Sequence, residues 1–156
     1  KVTPFLPIAT NIVNSKQSLR IIKILKKIIK INKKRLSLGL MGLTYKTDTN
    51  LIKGSQGDSL IKEIIKKNLK FKKINIFDVF LSRKEVFDYD RKLIFFNNKI
   101  SFLNHSDIII IMYPSTETKV LNNLKTKKVK YVLDCWRTNL NLNKNLKLVK
   151  FGKFFI

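Results

Sequence analysis
Residues 39–55 read GLMGLTYKTDTNLIKGS; they follow a short apolar run at 36–40 and precede an amphipathic segment that begins near Ser55. That order is strand, glycine-containing loop, helix. In open α/β sheets such a loop lies at the carboxyl end of a strand, where ligands bind, and the next helix aims its first N–H groups at any anion held there. The stretch therefore reads as a phosphate-facing loop. Gly42 lets the backbone approach a ligand closely, Lys46 can set an ammonium on a phosphate, and Tyr45 offers a ring and a hydroxyl. Lys46 reads equally as one solvated lysine among many. The loop is not a dinucleotide fingerprint, because GxGxxG needs a glycine where Met41 stands, and a P-loop needs a Gly-Lys pair before Ser or Thr. NAD is not expected to bind this domain itself.

Beyond the loop, Leu60, Ile61, Ile64, Ile65 and Leu69 recur with helical period while Lys62, Glu63, Lys66 and Lys67 point outward, which predicts a helix covering a sheet. Ser55 and Asp58 form a capping-box-like pair at its start, and Glu63 with Lys67 can make an i,i+4 contact. KKINIFD at 72–78 predicts a second strand ending on an acid. Residues 79–98 mix charged and aromatic side chains and read as loop plus a short helix; 99–103 reads as a short strand. The run IIIIM at 108–112 is a central strand, since consecutive large apolar residues need cover on both faces. Pro114 stops it and Ser115 is placed to cap a helix over 116–124. A strand at 129–134, a polar loop at 139–145 and an edge strand at 146–151 complete the pattern.

Upstream, residues 11–32 predict a long helix. Lys16, Arg20, Lys23, Lys27 and Lys30 share one face, and Ile21, Ile22, Ile24, Leu25, Ile28 and Ile29 cover the rest. An apolar face that wide suits either a well-buried core helix or one that also touches a partner chain or a further domain. The sum is β-α-β, a less regular crossover, then β-α-β: a doubly wound α/β fold with a mainly parallel sheet, preceded by a long helix at residues 1–34 and occupying 35–156.

At 156 residues and 44% hydrophobic, the chain supports one domain with a real core plus an appended element. Its formal charge of +23, from 33 Lys and Arg against 10 Asp and Glu, raises nucleic acid or an anionic surface as partners. The excess is mostly Lys, spread along the chain amid abundant Ile and Asn, so no specific nucleic acid is expected. No apolar run approaches the roughly 20 residues of a membrane helix. KVTPFLPIATN has neither a signal-peptide core nor a cleavage site, and the chain does not begin with Met, so a fragment of a longer reading frame is an expectation. One cysteine and one histidine leave no internal disulfide and no Cys or His cluster for a metal, which fits a reducing, cytoplasmic setting.

The carboxyl ends of the predicted strands bring the Gly39 loop, Asp78, Tyr113 and residues 134–137 to one crevice. Asp78 reads as a ribose acceptor or as a strand-terminal turn carboxylate. Cys135 reads as a small buried hydrophobe, with no sequence-local base to activate it, and His105 as a loop or capping residue. No triad or paired-carboxylate site assembles.

GLMGLTYKTDTNLIKGSQGDSLI resembles the opening of the carboxy-terminal, nucleotide-sugar-binding domain of the UDP-glucose/GDP-mannose dehydrogenases, with Gly39, Thr44, Tyr45, Lys46, Thr49 and Ser55 on the family pattern. INIFD, SDIIIIM and YVLD resemble the remaining strands in order, and the first helix, with Asn14 and Gln17, resembles the helix that joins the central and carboxy-terminal domains and helps build the dimer. The resemblance covers about residues 11–140. It implies a three-layer, Rossmann-like fold that holds a UDP-sugar or related nucleotide sugar. In the complete enzyme the resemblance implies an amino-terminal domain that holds NAD as the oxidant, and a cysteine outside the matched region that serves the two-step oxidation of the sugar C6 alcohol to a carboxylate. The resemblance does not make Cys135 that cysteine. By position Tyr45 and Lys46 contact the nucleotide and its phosphates, and Ser55 starts the helix behind them. Asn50 stands where the family has Asp, and Lys53 where it has Arg, which replaces a bidentate fork with a point charge. Asp134-Cys135-Trp136-Arg137 sets Trp where Arg is usual and Arg one place later, so Arg137 is expected to reach a phosphate.

The expected substrate-binding residues are thus Tyr45, Lys46, Asn50, Lys53, Ser55 and Arg137, with no catalytic residue in the chain. The expected partners are a nucleotide sugar and either a second copy or a missing amino-terminal half. A rival expectation is a non-catalytic remnant that docks through its first helix.

Overall fold
Strand β1 (Leu38–Met41) is the centre from which the sheet grows in both directions. Its side chains alternate between two apolar layers, as the two-residue period of a strand requires. Leu38 and Leu40 join one buried cluster and Met41 the other. Gly39 faces the second layer without a side chain, because there is no room for one. A Cβ there would lie 2.7 Å from Ser106 Oγ, 2.8 Å from Phe102 Cζ and 2.9 Å from Ile109 Cδ1. Gly39 is therefore a strand residue, and the loop proper begins at Gly42, whose φ of 96° is open to glycine and strained for other residues.

The computed structural model describes residues 5–150 apart from 123, 125 and 139. After α1 (Phe5–Ile31) and β1, the order is α2 (Gln56–Lys66), β2 (Ile74–Phe77), α3 (Arg83–Tyr89), β3 (Leu93–Phe95), α4 (Lys99–Asn104), β4 (Ile108–Ile111), a 3-10 turn (Thr116–Leu121), β5 (Tyr131–Asp134) and β6 (Lys147–Lys150). The six strands lie in the order β3-β2-β1-β4-β5-β6, and every pairing is parallel. This is the doubly wound, Rossmann-like α/β fold. Residues from α1, α2 and α3 bury against one face, among them Leu25, Ile61 and Val86. Phe102 and Leu103 of α4 and Leu121 of the 3-10 turn bury against the other.

Helix α1 begins earlier than residue 11, taking Pro7 into its first turn, where the missing N–H has no partner to lose. Its lysine stripe is exposed, and Ile21, Ile22, Ile24, Leu25 and Ile28 are buried as their spacing predicts. At its end Asn32 Nδ2 donates to Ile28 O at 2.7 Å and to the Tyr131 hydroxyl at 3.1 Å, which ties the helix to β5.

Several elements differ from expectation. Residues 99–103 are helical, since the Asn98 carboxamide accepts from Ser101 N at 2.9 Å and starts α4, which carries the chain across to the second face. The strand expected there lies earlier, as β3 inside 79–98. With only three residues it is too short to show alternation, and its parallel partner is β2. The helix expected over 116–124 is a 3-10 turn ending at Leu121; Ser115 gives no side-chain cap, and Thr118 Oγ1 instead donates to Ser115 O at 2.6 Å. In α2, Ile65 is 52% exposed and Leu69 lies beyond the helix end. Its i,i+4 ion pair is Lys62 with Asp58, at 2.9 Å, five residues earlier than Glu63 with Lys67. The sheet is wholly rather than mainly parallel. Of the edge strand expected at 146–151, Phe151 lies outside the described residues, as does Asn139 of the polar loop. Among the described residues no helix is long and apolar enough to cross a membrane.

Because three neighbours converge on the missing Cβ, Gly39→Ala is expected to destabilise the fold by about 1–3 kcal/mol, the usual cost of overpacking a close-packed core. Urea unfolding followed by circular dichroism measures it; an unchanged midpoint would refute the close packing.

Candidate functional site
The strand order reverses between β1 and β4, and in open α/β sheets ligands bind outside the carboxyl ends of the strands at such a point. The β1 loop, the turn after β4 and the turn after β5 meet here. The β1 loop is anchored by Asp78, the first residue after β2. Its Oδ2 accepts from Leu43 N at 2.7 Å, Thr44 N at 3.0 Å and Thr44 Oγ1 at 3.1 Å; its Oδ1 accepts from Phe80 N at 2.9 Å and the Tyr113 hydroxyl at 3.1 Å. With both oxygens engaged and the side chain buried, Asp78 is the turn carboxylate, and no lone pair is left for a ribose hydroxyl. Burial, followed by the charge of Asp78, pushes the Tyr113 hydroxyl well above its ordinary pKa, so it remains a neutral donor.

The far end of the loop is fixed by Ser55. Its Oγ donates to Leu43 O at 2.8 Å and accepts from Asp58 N at 2.9 Å, so the hydroxyl both caps α2 and closes the loop on itself. Asp58 does not complete a reciprocal capping box. It accepts instead from Gly54 N at 2.8 Å, from Lys62 and from the Tyr89 hydroxyl at 2.7 Å, which joins the loop end to α2 and α3. The Asn50 amide donates to Glu85 Oε1 at 2.8 Å and so tethers the loop to α3.

Two partners of Asp78, Thr44 and Tyr113, border a cavity of about 440 Å³, whose walls also include Tyr45 and Lys46 from the loop, Gln56 from α2, Trp136 after β5 and Asn14 from α1. Of the residues expected to bind substrate, Tyr45 and Lys46 line it. Asn50 is turned to α3, Ser55 is buried beneath the loop, and Lys53 and Arg137 are exposed and not among the lining residues. Arg137 sits in the left-handed region, with φ at 53°, in a turn shaped by Asp134, which accepts from Trp136 N and Thr138 N at 3.0 and 2.8 Å. Sequence reasoning passed over Gln56 and read Trp136 only as a departure from a pattern. Their signal was position alone: Gln56 opens the helix after the loop, and Trp136 follows the last central strand.

Cys135 is largely buried beside Asp134. Burial, with that charge second, pushes its thiol up to about 12, which makes it a packing residue rather than a nucleophile. His105 caps α4 at the amino-terminal side of β4, its Nδ1 2.7 Å from Ser101 O. Among the described residues no cluster of His, Cys, Asp or Glu could hold a metal ion. A second cavity of about 430 Å³ lies at the ends of β2 and β3, bordered by Phe77, Leu81, Arg83, Phe95 and Asn97.

Known structures share this fold. A UDP-N-acetyl-mannosamine dehydrogenase from S. aureus superposes on 97% of the chain with a TM-score of 0.66 at 16% identity. A UDP-D-ManNAc dehydrogenase from Pyrococcus horikoshii covers 88% of it, with a TM-score of 0.64 at 14% identity. A UDP-glucose dehydrogenase from the archaeon Pyrobaculum islandicum covers 93%, with a TM-score of 0.62 at 14% identity. At such identities the likeness establishes the Rossmann-like fold. The chain spans between 30% and 36% of the length of those proteins. No family model and no curated protein matches the chain.

Removing the Asp78 carboxylate strands buried N–H groups of the loop. Asp78→Ala is expected to cost about 2–3 kcal/mol, since bonds to a charged acceptor are the stronger ones, and to free the loop first. Hydrogen exchange at Leu43 and Thr44 reports it; protection equal to wild type would show that something else holds the loop.

Proposed function
We propose that the chain is the carboxy-terminal, nucleotide-sugar-binding domain of a nucleotide-sugar 6-dehydrogenase, one part of an NAD-dependent oxidoreductase that oxidises a sugar C6 alcohol to a carboxylate for polysaccharide precursor synthesis in the cytoplasm. The observation that carries this reading is the cavity at the β1/β4 reversal, which unites Tyr45 and Lys46 of the family-like loop with the start of α2. The solved dehydrogenases that share the fold support it, and those proteins are named for UDP-sugars.

In this reading the Lys46 ammonium meets the diphosphate and Tyr45 lies along the nucleotide. Ser55 acts indirectly, by holding the loop closed on α2. Lys53 and Arg137, exposed near the rim, supply longer-range positive charge. Asn50 positions the loop through Glu85. Hydride transfer and thiol chemistry belong to a part of the enzyme outside these residues: the loop has no dinucleotide fingerprint, and the Cys135 thiol stays protonated. NAD is the cofactor of the whole enzyme and is held by that other part.

Calorimetry with UDP-glucose tests the assignment. Binding is expected, and Lys46→Ala should weaken it about tenfold, the worth of one charge-assisted phosphate contact. No heat with wild-type protein, or an unaltered affinity in the variant, would reject it. Purified chain mixed with UDP-glucose and NAD should form no NADH; measured NADH would restore the chemistry to this chain.

A second reading, a non-catalytic module that docks through α1, is favoured by one observation. Phe5, Ile12, Val13 and Leu19 on that helix are 77%, 49%, 53% and 40% exposed. Light scattering decides its self-docking form, where a dimer that Val13→Asp dissolves is the expected result and a monomer at high concentration would remove that form.

A further inference from the structure
Trp136 combines two properties that seldom occur together. It is 52% exposed, yet its ring is fixed, because Nε1 donates to Met112 O at 2.7 Å and its backbone N–H donates to Asp134 Oδ1 at 3.0 Å. The indole therefore needs no ligand to satisfy its only polar atom, and its π surface is what it offers the cavity. Tyr45, 62% exposed, borders the same space. Behind Trp136 lies a smaller cavity of about 110 Å³, lined by Gln17, Ile21, Gln56, Met112 and Cys135 as well as the indole. Trp136, Met112 and Gln56 border both spaces. The ring is thus a partition pinned at its edge. Two carboxamides, Asn14 and Gln56, share the main cavity with it, and each can donate and accept at once. Lys46 supplies the cation for a phosphate on the same ligand.

We propose that Trp136 is the stacking platform for the heteroaromatic base of the bound nucleotide, and that Asn14 and Gln56 meet the edge of that base. The proposal rests on the reading of this cavity as a nucleotide site and adds which residue selects the base over the bare diphosphate. A pyrimidine edge that both donates and accepts, as uracil does, matches a carboxamide in two hydrogen bonds. Every base has a π face, so stacking supplies affinity and the carboxamides supply the choice. Placing Asn14 in this role brings α1 into the ligand site.

Trp136 is the only tryptophan of the chain, so its intrinsic emission reports this residue alone. The full chain is titrated with UDP and, separately, with inorganic pyrophosphate, with calorimetry run in parallel. UDP is expected to quench the emission saturably at the affinity calorimetry gives, and pyrophosphate to leave it unchanged. Trp136→Ala should weaken UDP about tenfold or more, the range seen when a base loses its aromatic partner. The same variant should leave pyrophosphate affinity as it was. Trp136→Phe should recover most of the loss. Circular dichroism identical to wild type confirms that both variants are folded; if Trp136→Ala is not, the quenching experiment decides by itself. Heat on mixing with UDP but no change in emission overturns the stacking and leaves the nucleotide reading intact, as does an equal loss for UDP and pyrophosphate in Trp136→Ala. No heat with UDP overturns both.

Discussion
One buried carboxylate organises the functional end of this domain. Asp78 accepts hydrogen bonds from Leu43, Thr44, Phe80 and Tyr113, residues that leave three different strands. A polar side chain at 3% exposure is tolerable only because each oxygen is satisfied, and that requirement fixes the path of each contributing segment. The loop after β1 therefore cannot move independently of the turns after β2 and β4. Gly42 makes the arrangement possible: a Cβ there would sit 2.5 Å from the Tyr113 ring, so the tyrosine reaches Asp78 across a position that only glycine leaves vacant.

The strongly periodic or strongly apolar segments were readable from the chain. Residues 108–112 could be little else than a buried central strand, and the lysine stripe of α1 declares its outer face. The failures between 79 and 121 share a cause. Segments of three to seven residues between 79 and 121 carry too few turns or pleats for a period to emerge, and there side-chain-to-backbone bonds decide. Asn98 makes 99–104 a helix, and Thr118 helps tighten 116–121 into a 3-10 turn. Tertiary need also overrode local pattern, since the chain had to cross to the opposite face before returning as β4.

The site was half legible. Tyr45 and Lys46 came from a loop whose register is local, so the sequence could show them. Asn50 and Ser55 are equally local, yet their side chains are consumed by contacts 35 and 12 residues away, which no spacing rule reveals. Asn14, Gln56 and Trp136 come from three separate elements and meet only once the sheet has been assembled.

Helix α1 has two halves with different obligations. From Ser18 onward it is core: Leu25 is fully buried and Asn32 is bonded to Tyr131 of β5. Asn14 instead borders the cavity at the strand-order reversal, and Ile12 and Val13 face outward. A helix held to the sheet along one half carries the direction of that half into the other, as a lever does. Whatever adjoins its amino-terminal half takes its bearing from the sheet, and a ligand gripping Asn14 would stiffen the lever close to its fulcrum. The helix is thus a mechanical connection between that cavity and anything that rests on its outward face.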